Sequence, residues 1–256
     1  MRKLALLPVF AALAFAYPAG AGAAVFHGTV VAKQTNRHVL VLASRTGAVH
    51  SIRTQRMGIR VGTRLAVKAR ALPDGTFRAT RIAASGRAHH ARVRAVVVRT
   101  LRLRMIVSAG HSAFAIRLAH RSSHAWASAG GGGNGPAPGT VVDAKVSISS
   151  SGELDEDDMD EVGQTDTVEL NGTLAAMTPS TATAPGSLTV TVGTLSFTIV
   201  VPPGVDVSKL KVGDRIHVKA TVDGTTLTLV KLGHDDEQGD DDDEDDDDDG
   251  GGGDDD

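Results

Sequence analysis

The feature that most constrains this chain is an internal repeat. Val61-Gly62-Thr63-Arg64-Leu65-Ala66-Val67-Lys68-Ala69 returns as Val212-Gly213-Asp214-Arg215-Ile216-His217-Val218-Lys219-Ala220. The surroundings return in the same order. Gly28-Thr29-Val30, Val39-Leu40-Val41 and Asp74-Gly75-Thr76 of the first copy match Gly172-Thr173-Leu174, Leu188-Thr189-Val190 and Asp223-Gly224-Thr225 of the last. A degraded middle copy runs through residues 92–98, 102–107, 113–118 and 139–146, with a Gly-rich run at 130–139 before its fourth strand. A repeated unit of this size is one folding module that must bury its own apolar face or share it with a neighbour.

Within each unit the pattern is that of strands. Apolar residues alternate over 29–32, 39–42, 65–69 and 77–82, with turn residues between. In Ala71-Leu72-Pro73-Asp74-Gly75, proline presets φ and glycine accepts positive φ. The mature chain holds no amphipathic helical stretch beyond a short one that 117–129 could accommodate. Five short strands in so few residues would leave apolar edges open, so closure into a small barrel is the expected solution. Gly28, Gly62, Gly172 and Gly213 read as the turn glycines of the repeat, with Leu65 and Ile216 facing inward.

These motifs resemble those of bacterial secreted domains of uncharacterised function, small OB-like β-barrels often found in tandem. That family's pattern is a G-x-V strand, an L-T-V strand, an apolar strand, then L-x-V-G-D-x-V-x-V and a closing G-x-L strand. The match is close over 168–232, fair over 25–82 and poor between. The resemblance implies a fold and no chemistry. The expected protein is mainly β: tandem small OB-like five-stranded β-barrels with a disordered acidic C-terminal tail. Its segments are a signal peptide (1–23), a basic barrel (24–86), a degenerate middle repeat with a Gly-rich loop and an acidic segment (87–165), a second clear barrel (166–233) and an Asp/Gly-rich tail (234–256). Seven acids in 153–161 stand where the middle unit needs its closing strand, and thirteen acids and four glycines fill 240–256. Neither run carries enough apolar surface to offset its ordering entropy, so both are expected to be disordered.

Arg2 and Lys3 precede a 14-residue apolar run, Pro18 and Gly20 break it, and Ala21-Gly22-Ala23 supplies a small-x-small cleavage pattern. Export with cleavage near Ala23 is the expectation; the run falls short of the roughly 20 residues that span a bilayer, a retained anchor being the alternative. The net charge of −3 conceals a polarised chain. Between residues 24 and 128 nineteen Lys and Arg face a single acid, Asp74, whereas 129–256 hold six basic and twenty-nine acidic residues. Such asymmetry points to electrostatic partners.

The chain has no Cys, which excludes disulfide scaffolds, thiolate metal clusters and thiol nucleophiles. No G-x-S-x-G occurs, no phosphate loop follows Gly130–Gly133, and the acids lie mostly in hydrated runs where their pKa values would not separate. No enzyme and no cofactor are expected. His89-His90 and the His120/His124 pair could offer imidazoles, but no H-E-x-x-H exists and only Asp74 could complete a set in the basic half. No metal site is therefore expected, and these histidines read as surface residues of Arg-rich loops. Asp245, Asp247, Asp249, Gly250 and Asp256 fall at EF-hand positions by low complexity alone, which leaves weak divalent-cation attraction by the tail. Asn171-Gly172-Thr173 matches a glycosylation acceptor and is discounted because Gly172 belongs to the repeat.

The basic half supplies the candidate binding residues: Arg53, Arg64, Arg70, Arg78, Arg81, Arg92 and Arg94. With only Phe26, Phe77, Phe114 and Trp126 available for stacking in 24–128, no specific nucleic acid is expected. Anionic envelope polymers or lipid headgroups need charge alone. The expected function is a secreted, non-enzymatic binding or envelope-interaction protein using Arg-rich barrel faces, with the tail competing in cis. The alternative is an extracellular cation-binding or charge-buffering protein acting through its Asp-rich tail. No oligomeric state follows from the sequence.

Overall fold

The computed structural model describes residues 23–119 and 135–234. The export signal, the segment 120–129 and the acidic tail beyond His234 lie outside the described residues; Arg117, the first residue of the helix candidate, ends a strand instead. Strands β1 (Ala24–Gln34), β2 (Val39–Ala43), β3 (Val49–Arg53), β4 (Thr63–Ala71) and β5 (Phe77–Arg87) close one barrel in the order β1-β2-β3-β5-β4. Strands β6 (His90–Leu101), β7 (Arg104–Ala109), β8 (Ser112–Arg117), β9 (Thr140–Ile148) and β10 (Leu154–Gln164) close a second. Strands β11 (Thr167–Thr178), β12 (Gly186–Val192), β13 (Leu195–Val201), β14 (Arg215–Asp223) and β15 (Thr226–His234) close a third. All three share one order, and in each the third and fifth strands run parallel while the other pairs are antiparallel. This is the OB-like topology, repeated three times.

One glycine per barrel sets the corner before the fourth strand. Gly62, Gly139 and Gly213 have φ of 86°, 86° and 100°, and their N–H groups donate to the carbonyls of Val30, Val97 and Leu174 at 2.8, 2.7 and 2.8 Å. Each acceptor sits beside a β-bulge in the first strand, which bends it from one neighbour to the other. Leu65, Val142 and Ile216 follow three residues later, all buried. Gly28 and Gly172 are not in turns. They lie within β1 and β11, where a Cβ would collide with the backbone of the second strand, Ala43 carbonyl carbon at 2.9 Å and Thr191 oxygen at 2.9 Å. They are close-approach glycines, and Ala95 takes the place in the middle barrel.

The second strand also departs from the sequence alignment. Val30 faces Leu42 and Leu174 faces Val190, so Leu40 and Leu42 correspond to Leu188 and Val190, one residue on from the match to Val39-Leu40-Val41. Val39–Ala43 is buried throughout because β2 is covered on both faces. Without polar alternation, nothing local marks which side is inward.

The acidic run 153–161 is ordered, as the closing strand β10. Leu154 and Met159 are buried in the second barrel's core, and a bulge between Glu156 and Asp158 resets the register. Side chains from β8, β9 and β6 meet the outward acids. Arg117 lies 2.7 Å from Glu153 and 3.4 Å from Asp155, Lys145 is 2.7 Å from Asp158, and His90 is 3.0 Å from Asp157. Disorder was expected because composition counts the charges and not their partners.

The barrels stack through one recurring contact. Val31, Val41 and Ala43 on the outside of the first barrel join the core cluster of the second, and Val98, Ile106 and Ala113 of the second join that of the third. Each buried Val or Ile side chain is worth about 1.5–3 kcal/mol. The corresponding positions of the third barrel are exposed Ala175 and half-buried Thr189, so the apolar stripe stops there. A backbone bond repeats too. Arg94 N donates to Gly47 O at 2.8 Å between barrels one and two, and Asn171 N to His111 O at 2.9 Å between two and three.

Candidate functional site

The β4–β5 hairpin carries its inward apolar residues on one face and cations on the other. Exposed on its outer face are Arg64, Lys68, Arg70, Arg78 and Arg81. Register places Arg70 directly opposite Arg78 and Lys68 opposite Arg81. Like charges facing each other across strands repel, so the hairpin concentrates positive charge on this face. Asp74, the hairpin's one acid, turns away from this face into the interior.

Beside the hairpin lies a groove of about 770 Å³ between the first and second barrels. Arg45, Arg64, Arg92 and Lys145 line it, with His27, His90 and the acid Asp157 at its walls. Arg92 and Arg94 both grip Asp143, Arg92 through Nε at 2.6 Å and Arg94 at 2.9 Å. Asp143 is 2% exposed, and the hydrogen bond from Arg92 is the first cause holding its carboxyl below the usual range. The two guanidiniums stay about half exposed, aimed by a buried carboxylate. Arg64 and Arg92, far apart in sequence, thus share one groove; Arg45 and Lys145 were not singled out because nothing local distinguishes them from other surface cations.

Arg53 does not belong to this surface. It is buried, its guanidinium 2.6 Å from Asp74 with side-chain exposures of 8% and 5%. Burial pushes the Asp74 carboxyl up, but the Thr76 hydroxyl and the Arg53 charge outweigh it and hold the group below its ordinary value. The alternation in β3 gave no sign that this arginine points inward to a loop from the next hairpin. Asn171, dismissed as a glycosylation acceptor, is a second buried member: its Nδ2 donates to Asp74 Oδ2 at 2.6 Å, and Arg37 donates to its carbonyl.

Phe26, Phe77 and His50 cluster at the end of the first barrel, ring centroids 4.5–5.8 Å apart. Both phenylalanines pack against that barrel's core and remain partly exposed. Burial lowers the His50 pKa, so its ring is neutral at neutral pH.

Residues 41–83 match a family model described as a domain of unknown function, DUF5666. The matched stretch runs from β2 into β5 of the first barrel, across the cationic hairpin. No curated protein matches the chain. Among solved structures, a single-stranded DNA binding protein from Thermus aquaticus is 12% identical with a TM-score of 0.28, covering 82% of this chain and 90% of that one. A Drosophila Unr fragment, CSD456, is 11% identical with a TM-score of 0.22 over 84% and 98%. A multidomain protein with nucleic acid binding domains from Streptococcus pneumoniae is 13% identical with a TM-score of 0.23 over 81% and 73%. At these scores the likeness carries no ligand over to this chain.

Proposed function

We propose that this chain is a secreted, non-enzymatic binding protein that takes anionic envelope polymers or lipid headgroups along the outer face of β4–β5 and the adjoining groove. The observation that supports this most is the row of exposed cations on β4–β5, Arg70 opposite Arg78 and Lys68 opposite Arg81, beside a groove that Arg45, Arg64, Arg92 and Lys145 line. An anionic chain laid across them would release its own counterions, giving affinity that falls steeply with salt. Phe26 and Phe77 pack edge-on against each other and on the first barrel's core, which favours charge recognition over base recognition. The Asp-rich tail, in this reading, competes in cis for the same cations.

The test is retention on heparin and on vesicles of anionic and of neutral lipid across a salt gradient, with wild type against Arg64→Gln/Arg70→Gln/Arg81→Gln. All three side chains are exposed, so the variant folds. It should elute at clearly lower salt and show a shallower log–log salt dependence, by about one unit for each arginine that had neutralised an anionic group. Elution unchanged from wild type would overturn the assignment.

A further inference from the structure

A second cluster lies where all three barrels meet, beside the Asp74-Gly75 tip of the β4–β5 hairpin. His111 stands in the tight turn between β7 and β8, Glu169 on β11 and His217 on β14. Each offers one donor atom, and the three atoms lie within 4.8 Å of one another. Glu169 and Lys219 face each other across β11–β14, as do Asn171 and His217, which puts Glu169 and His217 on the outer face of the third barrel, under the second barrel's turn. We propose that His111, Glu169 and His217 bind a divalent transition-metal cation of the zinc type, clamping the second barrel to the third.

Four further observations bear on it. The first concerns ring nitrogens. Asn171 Nδ2 donates to Asp74, so its Oδ1 is the end turned to His217 Nδ1, and that nitrogen must carry the proton. The lone pair of His217 is thereby left on Nε2, the tautomer a metal needs, fixed by an outer partner as in zinc sites generally. The second is His111 Nδ1, which is buried and without a hydrogen-bond partner, 3.2 Å from Glu169 Oε2. Its other nitrogen packs over Gly75, where a Cβ would touch it.

The third is the carboxylate's orientation. Lys219 lies 3.7 Å from Oε1 of Glu169, the oxygen not facing His111, leaving Oε2 toward the imidazoles. The fourth is backbone geometry. His111 has φ of 66°, a left-handed conformation that side chains avoid, and at the corresponding turn the first barrel uses Gly47 with φ of 87°. The two residues make the same bond to the following barrel. The third barrel's two-residue turn has Thr194 at this place, without a positive φ, so the left-handed imidazole is particular to the second barrel.

Two imidazoles and one carboxylate suit zinc-type cations with a fourth position left to water, and do not suit calcium, which takes oxygen ligands. Closing donors now up to 4.8 Å apart onto bonds of about 2.0–2.2 Å requires a contraction of about 1 Å, within reach of side-chain rotation in half-buried groups. A cavity of about 370 Å³ bordered by His111 and Glu169 opens the cluster to solvent.

The experiment is equilibrium dialysis of zinc, and visible ligand-field absorption of cobalt, on the full untagged chain. Three forms are compared with wild type: His111→Gly, Glu169→Gln and a chain lacking residues 240–256. His111→Gly installs the residue the first barrel already uses, so folding is preserved. Expected is one equivalent of zinc in wild type and in the tail-deleted chain, with affinity lowered by an order of magnitude or more in both point variants. Calcium should bind alike to wild type and His111→Gly. Zinc binding unchanged by His111→Gly and Glu169→Gln, or abolished by tail deletion, would overturn the site.

Discussion

Asp74 carries the sharpest prediction, because one buried carboxylate joins two barrels. Its oxygens accept from Arg53 at 2.6 Å, from the Thr76 hydroxyl at 2.6 Å and from Asn171 Nδ2 at 2.6 Å. Replacing Asp74 by Ala leaves a buried guanidinium without this counter-charge and a buried amide without its acceptor. Removing one partner of a buried pair costs about 3–5 kcal/mol, and the relief of the carboxylate's own desolvation offsets part of that. A net loss of about 3 kcal/mol is expected. The pH dependence carries an independent signature. The folded Asp74 pKa lies below its ordinary value of 3.8, so its contribution is present above that value and is lost as pH falls through it toward the folded pKa. Asp143, lowered by Arg92 and Arg94, has the same sign. Urea unfolding followed by circular dichroism should therefore show wild-type stability falling between about pH 5 and pH 2. Asp74→Ala should be weaker at neutrality and flatter on the acid side. A loss under about 1 kcal/mol at pH 7, or an acid limb parallel to wild type, would refute a central role for this carboxylate.

Gly172→Ala should destabilise the third barrel by about 1–3 kcal/mol, since its new Cβ meets Val190 and Thr191, whereas Ala95→Gly at the corresponding place should cost under about 1 kcal/mol; equal urea midpoints for the two would reject the equivalence. Deleting residues 240–256 should raise the salt needed to elute the chain from heparin, because thirteen tethered acids compete with an external polyanion at an effective concentration near millimolar (~10⁻³ M) and are screened over about 8 Å. If deletion only lowers solubility and leaves elution unmoved, the tail does not compete.

Much of the architecture is legible in the sequence because its causes are local. A glycine at 62 or 213 admits a positive φ that no neighbour can supply, and the alternation after it decides that Leu65 and Ile216 face inward. Strand and turn chemistry of that kind, repeated, implies small five-stranded barrels in tandem. What the tertiary structure alone decided is everything that depends on the far side of a contact. Gly28 and Gly172 look like turn glycines until the second strand is seen lying against them. The acids of 153–161 look unfoldable until Arg117, Lys145 and His90 stand opposite. Arg53 reads as a surface residue and Asn171 as part of a discounted acceptor pattern, yet both are sealed in the junction by Asp74 from the first barrel's loop. His111, Glu169 and His217 share no spacing that a motif could register, since the turn of one barrel and the outer face of the next bring them together. Backbone preference acts over a few residues, whereas burial, charge pairing and ligand geometry act through space, and only the folded stack of barrels determines which residues those are.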